Sequence, residues 1–147
     1  MADQLLSPKM LGYWTRDQLH DTPDESGFFC VFRAAKDPET DEMDVQELLY
    51  VGEHRSIRYG LEHHPDHDKW HAFIQPGEEI WYAAALVGHP NRERMTAAMI
   101  NAHKPRFNND SKYRDHFPFD ETTVHIYGKK HKLQSVFTVA DRYESGS

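Results

Sequence analysis

Runs of apolar residues predict the strands in the first part of the chain. The aromatic and β-branched run at residues 28–35 predicts a buried strand. A second run, residues 48–52, ends at a glycine and predicts a strand that forms a hairpin with the first. The acidic segment between them, residues 36–46, contains an Asp-Pro turn former and is predicted to be a loop. A third run at residues 79–87 predicts a more buried strand.

Two segments have the spacing of helices. Ile57 and Leu61 fit one helical turn over residues 56–64, and a proline stops that helix. A longer helix is predicted over residues 91–103, where apolar side chains recur at three- and four-residue steps. These side chains are Met95, Ala98, Met99 and Ala102. The segment at residues 65–75, which is rich in His and Asp, is predicted to be a loop.

The two ends of the chain extend this core. Residues 1–26 are interpreted as a lead-in with a short helix at residues 15–20, capped by Thr15. The runs at residues 122–127 and 135–140 predict a C-terminal hairpin. The order is therefore strand, strand, helix, strand, helix and terminal hairpin. It predicts an α+β fold in which a small, mostly antiparallel sheet is flanked by helices laid on one face.

Composition bounds the class of protein. The length of 147 residues suits a single domain, residues 1–147, and the hydrophobic share of 38% is enough to build a core. No run approaches the about 20 apolar residues of a membrane-spanning helix, and residues 1–10 lack the pattern of a secretory signal. We therefore expect a cytoplasmic protein without a membrane partner. The single cysteine, Cys30, cannot form an internal disulfide and is predicted to be a buried apolar residue.

Short motifs occur in a characteristic order along the predicted elements. Gly27-Phe28-Phe29 opens the first strand, Tyr50-Val51-Gly52 closes the second, His64 ends the first helix, and Lys104-Pro105-Arg106-Phe107-Asn108 follows the second helix. This ordered set resembles the GIY-YIG nuclease superfamily, in which two strand motifs, a helix ending near a histidine and a later Pro-x-x-Asn turn follow one another. The resemblance covers residues 27–108. Residues 1–26 and 109–147 are then N- and C-terminal extensions.

The resemblance implies Mg²⁺- or Mn²⁺-dependent cleavage of phosphodiesters. In the family a tyrosine activates water, an arginine steadies the phosphate and a glutamate holds the metal ion. Tyr50 stands at one motif tyrosine. Phe29, Gly60 and Thr96 stand at the positions of the other tyrosine, the arginine and the glutamate, so three reacting groups are missing in the simplest register.

Neighbouring residues are candidates to replace the missing groups. Arg58 precedes Gly60 by two residues, and Glu93 lies one helical turn before Thr96. The catalytic candidates implied by the resemblance are Tyr50, Arg58, His64 and Glu93, with Glu93 as the metal ligand.

Basic and aromatic residues interleave in two segments that follow the second helix. They are His103, Lys104, Arg106, Phe107, Lys112, Tyr113 and Arg114, and then Lys129, Lys130, His131 and Lys132. Such mixtures hold phosphates and stack bases, so DNA or RNA is the expected partner. The candidate binding residues are Phe29, Lys104, Arg106 and Asn108. The net charge of −7 weakens this expectation without excluding it.

Several functions stay open. The first is a nucleic-acid-associated domain with an eroded nuclease site. The others are a protein-binding module on the same fold and a residual metal-dependent endonuclease. The tract at residues 53–71, with its many imidazoles and carboxylates, is a candidate site for zinc or another transition metal. It contains no His-Glu-x-x-His pair, and a solvated polar loop is the simpler interpretation.

Overall fold

A computed structural model describes residues 4–141, which form an α+β fold with two mixed sheets. The strands are β1 (Gln4–Leu6), β2 (Lys9–Thr15), β3 (Gly27–Lys36), β4 (Met43–His54), β5 (Glu79–Leu86), β6 (Thr122–His125), β7 (Tyr127–Gly128) and β8 (Val136–Val139). The helices are α1 (Ile57–Glu62), α2 (His67–Phe73) and α3 (His89–His103), with 3-10 turns at Arg16–Asp21, Arg106–Asn108 and Lys112–Arg114. Within the described residues, no helix has the length and apolar character needed to cross a membrane.

The main sheet has the strand order β4-β3-β5-β2-β7. Strand β3 pairs antiparallel with β4 and β5, and β2 pairs antiparallel with β5 but parallel with β7. The predicted hairpin of the first two motif strands is confirmed, because Phe29 lies opposite Gly52 and Val31 lies opposite Tyr50. The α+β class is likewise confirmed.

A bulge in β4 places two successive side chains, those of Leu49 and Tyr50, on the same face of the sheet. Val31 pairs with Tyr50, whereas the next residue of β3, Phe32, pairs with Leu48. Leu49 is therefore an extra residue in β4. Such an insertion breaks the alternation of side chains, and both Leu49 and Tyr50 pack on the face that carries α1 and α2.

Helices cover both faces of the main sheet, not one face as predicted. Successive residues of β3 point to opposite faces, so Phe28 packs with α3 while Phe29 packs with α1 and α2. Cys30 is fully buried beside Phe28, as predicted, and burial raises the pKa of its thiol. The sheet is thus the middle layer of the protein.

The smaller sheet has the order β1-β6-β8. Its β6 and β8 pair antiparallel, which confirms the predicted C-terminal hairpin, and β1 adds to β6 in parallel. The short β7, between these two strands in sequence, pairs with β2 of the main sheet.

Three segments differ from the sequence expectation. The segment predicted as a loop at residues 65–75 contains α2, and the end of the predicted loop at residues 36–46 already belongs to β4. The lead-in at residues 1–26 supplies β1 and β2 as well as the expected short helix after Thr15. Contacts with distant parts of the chain decide these segments, because their local sequences are polar or rich in turn formers.

Candidate functional site

Six aromatic or imidazole rings line a cleft at the C-terminal end of β4. They belong to Phe29, Tyr50, His54, Tyr59, His63 and His64, and the cleft encloses about 170 Å³. We call it the ring cleft. Strand β4 supplies Tyr50 and His54, β3 supplies Phe29, and α1 with the turn after it supplies the other three.

Two glycines make room for these rings. A Cβ atom at Gly52 would lie 2.7 Å from Phe29 Cζ and 2.8 Å from Tyr50 Cε2. A Cβ atom at Gly60 would lie 2.7 Å from His54 Cβ. These distances are too short for any side chain without movement of the rings. Gly60, the position that the resemblance gives to an arginine, therefore has no space for one.

Tyr50 and His64 meet in the ring cleft with a centroid separation of 5.0 Å. The backbone N–H of Asp66 donates to His64 Nδ1, which places the proton of the neutral imidazole on Nε2. Burial lowers the pKa of His64. Burial, and then the nearby carboxylates of Asp66 and Asp110, raise the pKa of Tyr50. At neutral pH the Tyr50 phenol is therefore protonated and the His64 imidazole is uncharged.

Arg58 and Glu93 lie outside the ring cleft. Arg58 Nε donates to the backbone carbonyl of Thr22 at 2.9 Å, so its guanidinium anchors the segment before β3. Glu93 is exposed on α3, and its carboxylate accepts a hydrogen bond from the hydroxyl of Tyr113. Of the four predicted catalytic residues, the structure thus brings together Tyr50 and His64 only.

Asn108, a predicted binding residue, faces the protein interior. Its side-chain Oδ1 accepts from the N–H of Val51 at 2.9 Å, and its Nδ2 donates to the carbonyl of Val51 at 3.0 Å. Asn108 is buried and completes the outer edge of β4. Phe29, another predicted binding residue, lines the ring cleft, with its ring centroid 6.0 Å from that of His64.

Cationic side chains gather in a second depression, near the start of β4. We call it the basic groove; its cations are Lys104, Arg106, Arg114 and Lys132, and its volume is about 560 Å³. Residues 46–48 of β4 form one wall, and the end of α3 forms another. The two interleaved segments of the sequence, which are distant along the chain, thus meet at one place.

Gln134 joins the tip of the C-terminal hairpin to α3. Its backbone N–H donates to His103 Nε2 at 3.0 Å, and its side-chain amide donates to the carbonyl of Ala102 at 3.1 Å. His103 Nδ1 in turn bonds the carbonyl of Met99, and burial lowers the pKa of this imidazole. A neutral His103 therefore holds the hairpin tip that carries Lys132 against the end of α3.

The charge of the basic groove is only partly neutralised. Glu47, its one carboxylate among the lining residues, accepts from both Arg33 and Arg106. Lys104, Arg114 and Lys132 form no ion pair with any described residue. The groove therefore presents uncompensated positive charge on an otherwise acidic protein.

The histidine-rich tract is not a loop: it contains α1 and most of α2, and one of its histidines, His67, is buried. His67 Nε2 bonds the carbonyl of Leu61, and the Tyr82 hydroxyl lies 3.3 Å from His67 Nδ1. His71 Nδ1 bonds the carbonyl of His67. Within residues 4–141, no group of three or more His, Cys, Asp or Glu side chains is arranged to hold a metal ion.

Sequence reasoning missed the contribution of His54, Tyr59 and His63 to the cleft. The four-residue step from Tyr59 to His63 is a signal for stacking on a helical turn, and these rings lie 4.1 Å apart. His54 reaches them only through the fold, with its ring 5.3 Å from that of Tyr59.

Comparison with known proteins gives no relative: no protein-family profile, curated protein or solved structure matches this chain.

Proposed function

We propose that this protein is a divergent GIY-YIG-like domain that binds nucleic acid in the basic groove and does not cut it. The observation that carries the proposal is the convergence of four cations in one groove of an acidic chain. Phosphate binding depends on such cationic neutralisation, which local clusters supply whatever the net charge of the protein.

The arrangement of the motif segments supports the kinship. The Gly-Phe-Phe strand β3 pairs with the Tyr-Val-Gly strand β4, and α3 leads into the Pro-x-x-Asn turn. Asn108 of that turn binds the backbone of Val51 in the second motif. The segments that carry the resemblance are therefore in direct contact.

The metal ion implied by the resemblance does not fit the residues present. Glu93, the candidate ligand, accepts from the Tyr113 hydroxyl, and Glu53 is held by Arg92 at 2.7 Å. A divalent cation such as Mg²⁺ needs oxygen ligands that face a common point. With Arg58 directed at Thr22, no cleavage step can be derived from this arrangement.

A salt titration tests the groove. We expect a fluorescent single-stranded oligonucleotide to bind, with a log-log slope against salt of about −0.7 for each phosphate neutralised. Lys132→Gln should weaken binding and reduce the steepness of the slope by about 0.7. The control is Lys36→Gln, which removes a lysine that pairs with Asp41. It should leave the affinity and the salt slope unchanged.

Three results would contradict the proposal. Absent binding would contradict the groove as a phosphate site, and a salt slope near zero would favour a protein partner. Cleavage of plasmid or single-stranded DNA with Mg²⁺ or Mn²⁺, lost in Tyr50→Phe, would show that the site still cuts.

A further inference from the structure

The ring cleft lacks the cationic side chains that bind a phosphate, and its aromatic walls suit a planar aromatic group. Among the residues that the structure describes, no lysine or arginine lines it. Its one lining carboxylate, Glu53, is paired with Arg92. The remaining walls are mainly ring faces and edges, which proteins use to hold bases that have left a stack.

Tyr59 provides an exposed aromatic surface at this cleft. Its ring contacts two imidazoles, with centroid separations of 5.3 Å to His54 and 4.1 Å to His63. Even so, the residue remains 55% exposed. These ring contacts position Tyr59 before any ligand arrives, which reduces the entropic cost of binding.

The imidazoles also offer hydrogen-bonding groups for the edge of a base. His54 Nδ1 accepts from the N–H of Ser56, and His64 Nδ1 accepts from the N–H of Asp66, so each ring carries its proton on Nε2. His63 Nδ1 lies 3.2 Å from the carbonyl of Tyr59, a contact that selects the tautomer whose Nε2 is an acceptor. The cleft therefore combines stacking surface with donors and an acceptor.

We propose that the ring cleft binds one unpaired nucleobase of a single-stranded nucleic acid whose backbone occupies the basic groove. The inference rests on the proposed function and names its substrate class. Strand β4 joins the two places, because Glu47 lines the groove and Gly52 lines the cleft. The extended strand between these residues spans about 16 Å, a distance that a few nucleotides cover.

Adenosine tests the cleft without the groove, because it has a base and no phosphate. In an NMR titration, we expect saturable shifts of the ring signals of Tyr59 and His63. The signals of Tyr127 and His125 should not move; these rings stack in the same way, 4.3 Å apart, on another part of the surface. Unchanged Tyr59 and His63 signals up to the solubility limit would overturn the inference.

A second experiment compares a single-stranded oligonucleotide of about twelve residues with an abasic strand of equal length. We expect wild type to bind the base-containing strand more tightly, in both the DNA and the RNA form. Tyr59→Ala should weaken that binding about tenfold and leave abasic binding unchanged. Tyr127→Ala, which removes a comparably exposed ring, should change neither affinity.

The two experiments separate the inference from the function on which it rests. Equal affinity for the two strands, with Lys132→Gln weakening both, would overturn base binding and keep the groove. Binding of neither strand would overturn both the proposed function and the inference that rests on it, even if adenosine shifts the Tyr59 and His63 signals. If Tyr59→Ala also lost binding of the abasic strand, the substitution would be acting on the groove or the fold. That result would overturn the base contact.

Discussion

At the scale of the residue, one amide side chain completes the open edge of the main sheet. Strand β4 is an edge strand, so its outer N–H and C=O groups lack a neighbouring strand. Asn108 supplies one acceptor and one donor to Val51, much as a paired strand would. Because Val51 adjoins Tyr50, this contact also holds the wall of the ring cleft.

Asn108→Ala should therefore lower the free energy of unfolding by about 2–4 kcal/mol, because it leaves two buried backbone groups without partners. The matched control is Asn109→Ala, whose side chain is exposed and whose effect should stay within about 0.5 kcal/mol. Urea denaturation measures both. Equal losses in the two variants would show that the Val51 contact contributes little.

The sequence alone could not give Asn108 this role. The turn after Pro105 can be read locally, but Asn108 and Val51 are separated by 57 residues. Whether an amide side chain faces a ligand or a strand depends on which distant segment of the chain packs beside it. Gly60 is similar, since the missing side chain is visible in the sequence while its close contact with His54 is not.

At the scale of the element, α2 depends on a buried histidine. His67 is 5% exposed; its Nε2 bonds the Leu61 carbonyl of α1, and its Nδ1 lies at the Tyr82 hydroxyl of β5. Trp70, one turn later, is fully buried against the ring of His67. The seven-residue helix α2 is too short to be stable alone, so these contacts determine that it forms.

Acid should destabilise the protein through His67. Burial lowers its pKa below the ordinary value of 6.5, so the unfolded chain binds more protons than the folded protein between the two values. The contribution of His67 is therefore complete above about pH 6.5 and declines as the pH falls toward the folded pKa. NMR titration of the His67 ring, with urea unfolding at each pH, measures both effects. A midpoint at or above 6.5 would contradict this.

This histidine also explains why the sequence analysis predicted a loop where α2 forms. Residues 65–75 are polar, and their periodicity is weak because the buried positions His67 and Trp70 are flanked by charged residues. The longer α3 was easier to predict: Met95 and Met99 repeat at helical spacing, and both are fully buried.

At the scale of the whole molecule, the N-terminal strands join the two sheets. Strand β1 pairs with β6 of the smaller sheet, and β2 pairs with β5 and β7 of the main sheet. Met10, on β2, belongs to the core cluster that also contains Val124 and Phe137 of the smaller sheet. The segment interpreted as a lead-in is thus a structural connection.

Met10→Ala should lower the free energy of unfolding by about 2–5 kcal/mol, because Met10 is 1% exposed and its removal leaves a cavity between the sheets. The matched control is Leu5→Ala on β1, since Leu5 is 66% exposed and its loss should cost about 0.5 kcal/mol or less. Thermal or urea unfolding distinguishes the two. A small effect at Met10 would mean that the core does not depend on β2.

The sequence by itself determined the α+β class, the β3–β4 hairpin, the long helix α3 and the terminal hairpin, because apolar periodicity and turn formers act over a few residues. Only the tertiary structure decided that Tyr50 meets His64, that Arg58 turns to Thr22, and that the two basic segments form one groove. These arrangements depend on the bulge in β4, on the outer edge of β4 that Asn108 completes, and on contacts between distant segments. Such contacts are selected by packing and hydrogen bonding across the whole fold, which no local pattern encodes.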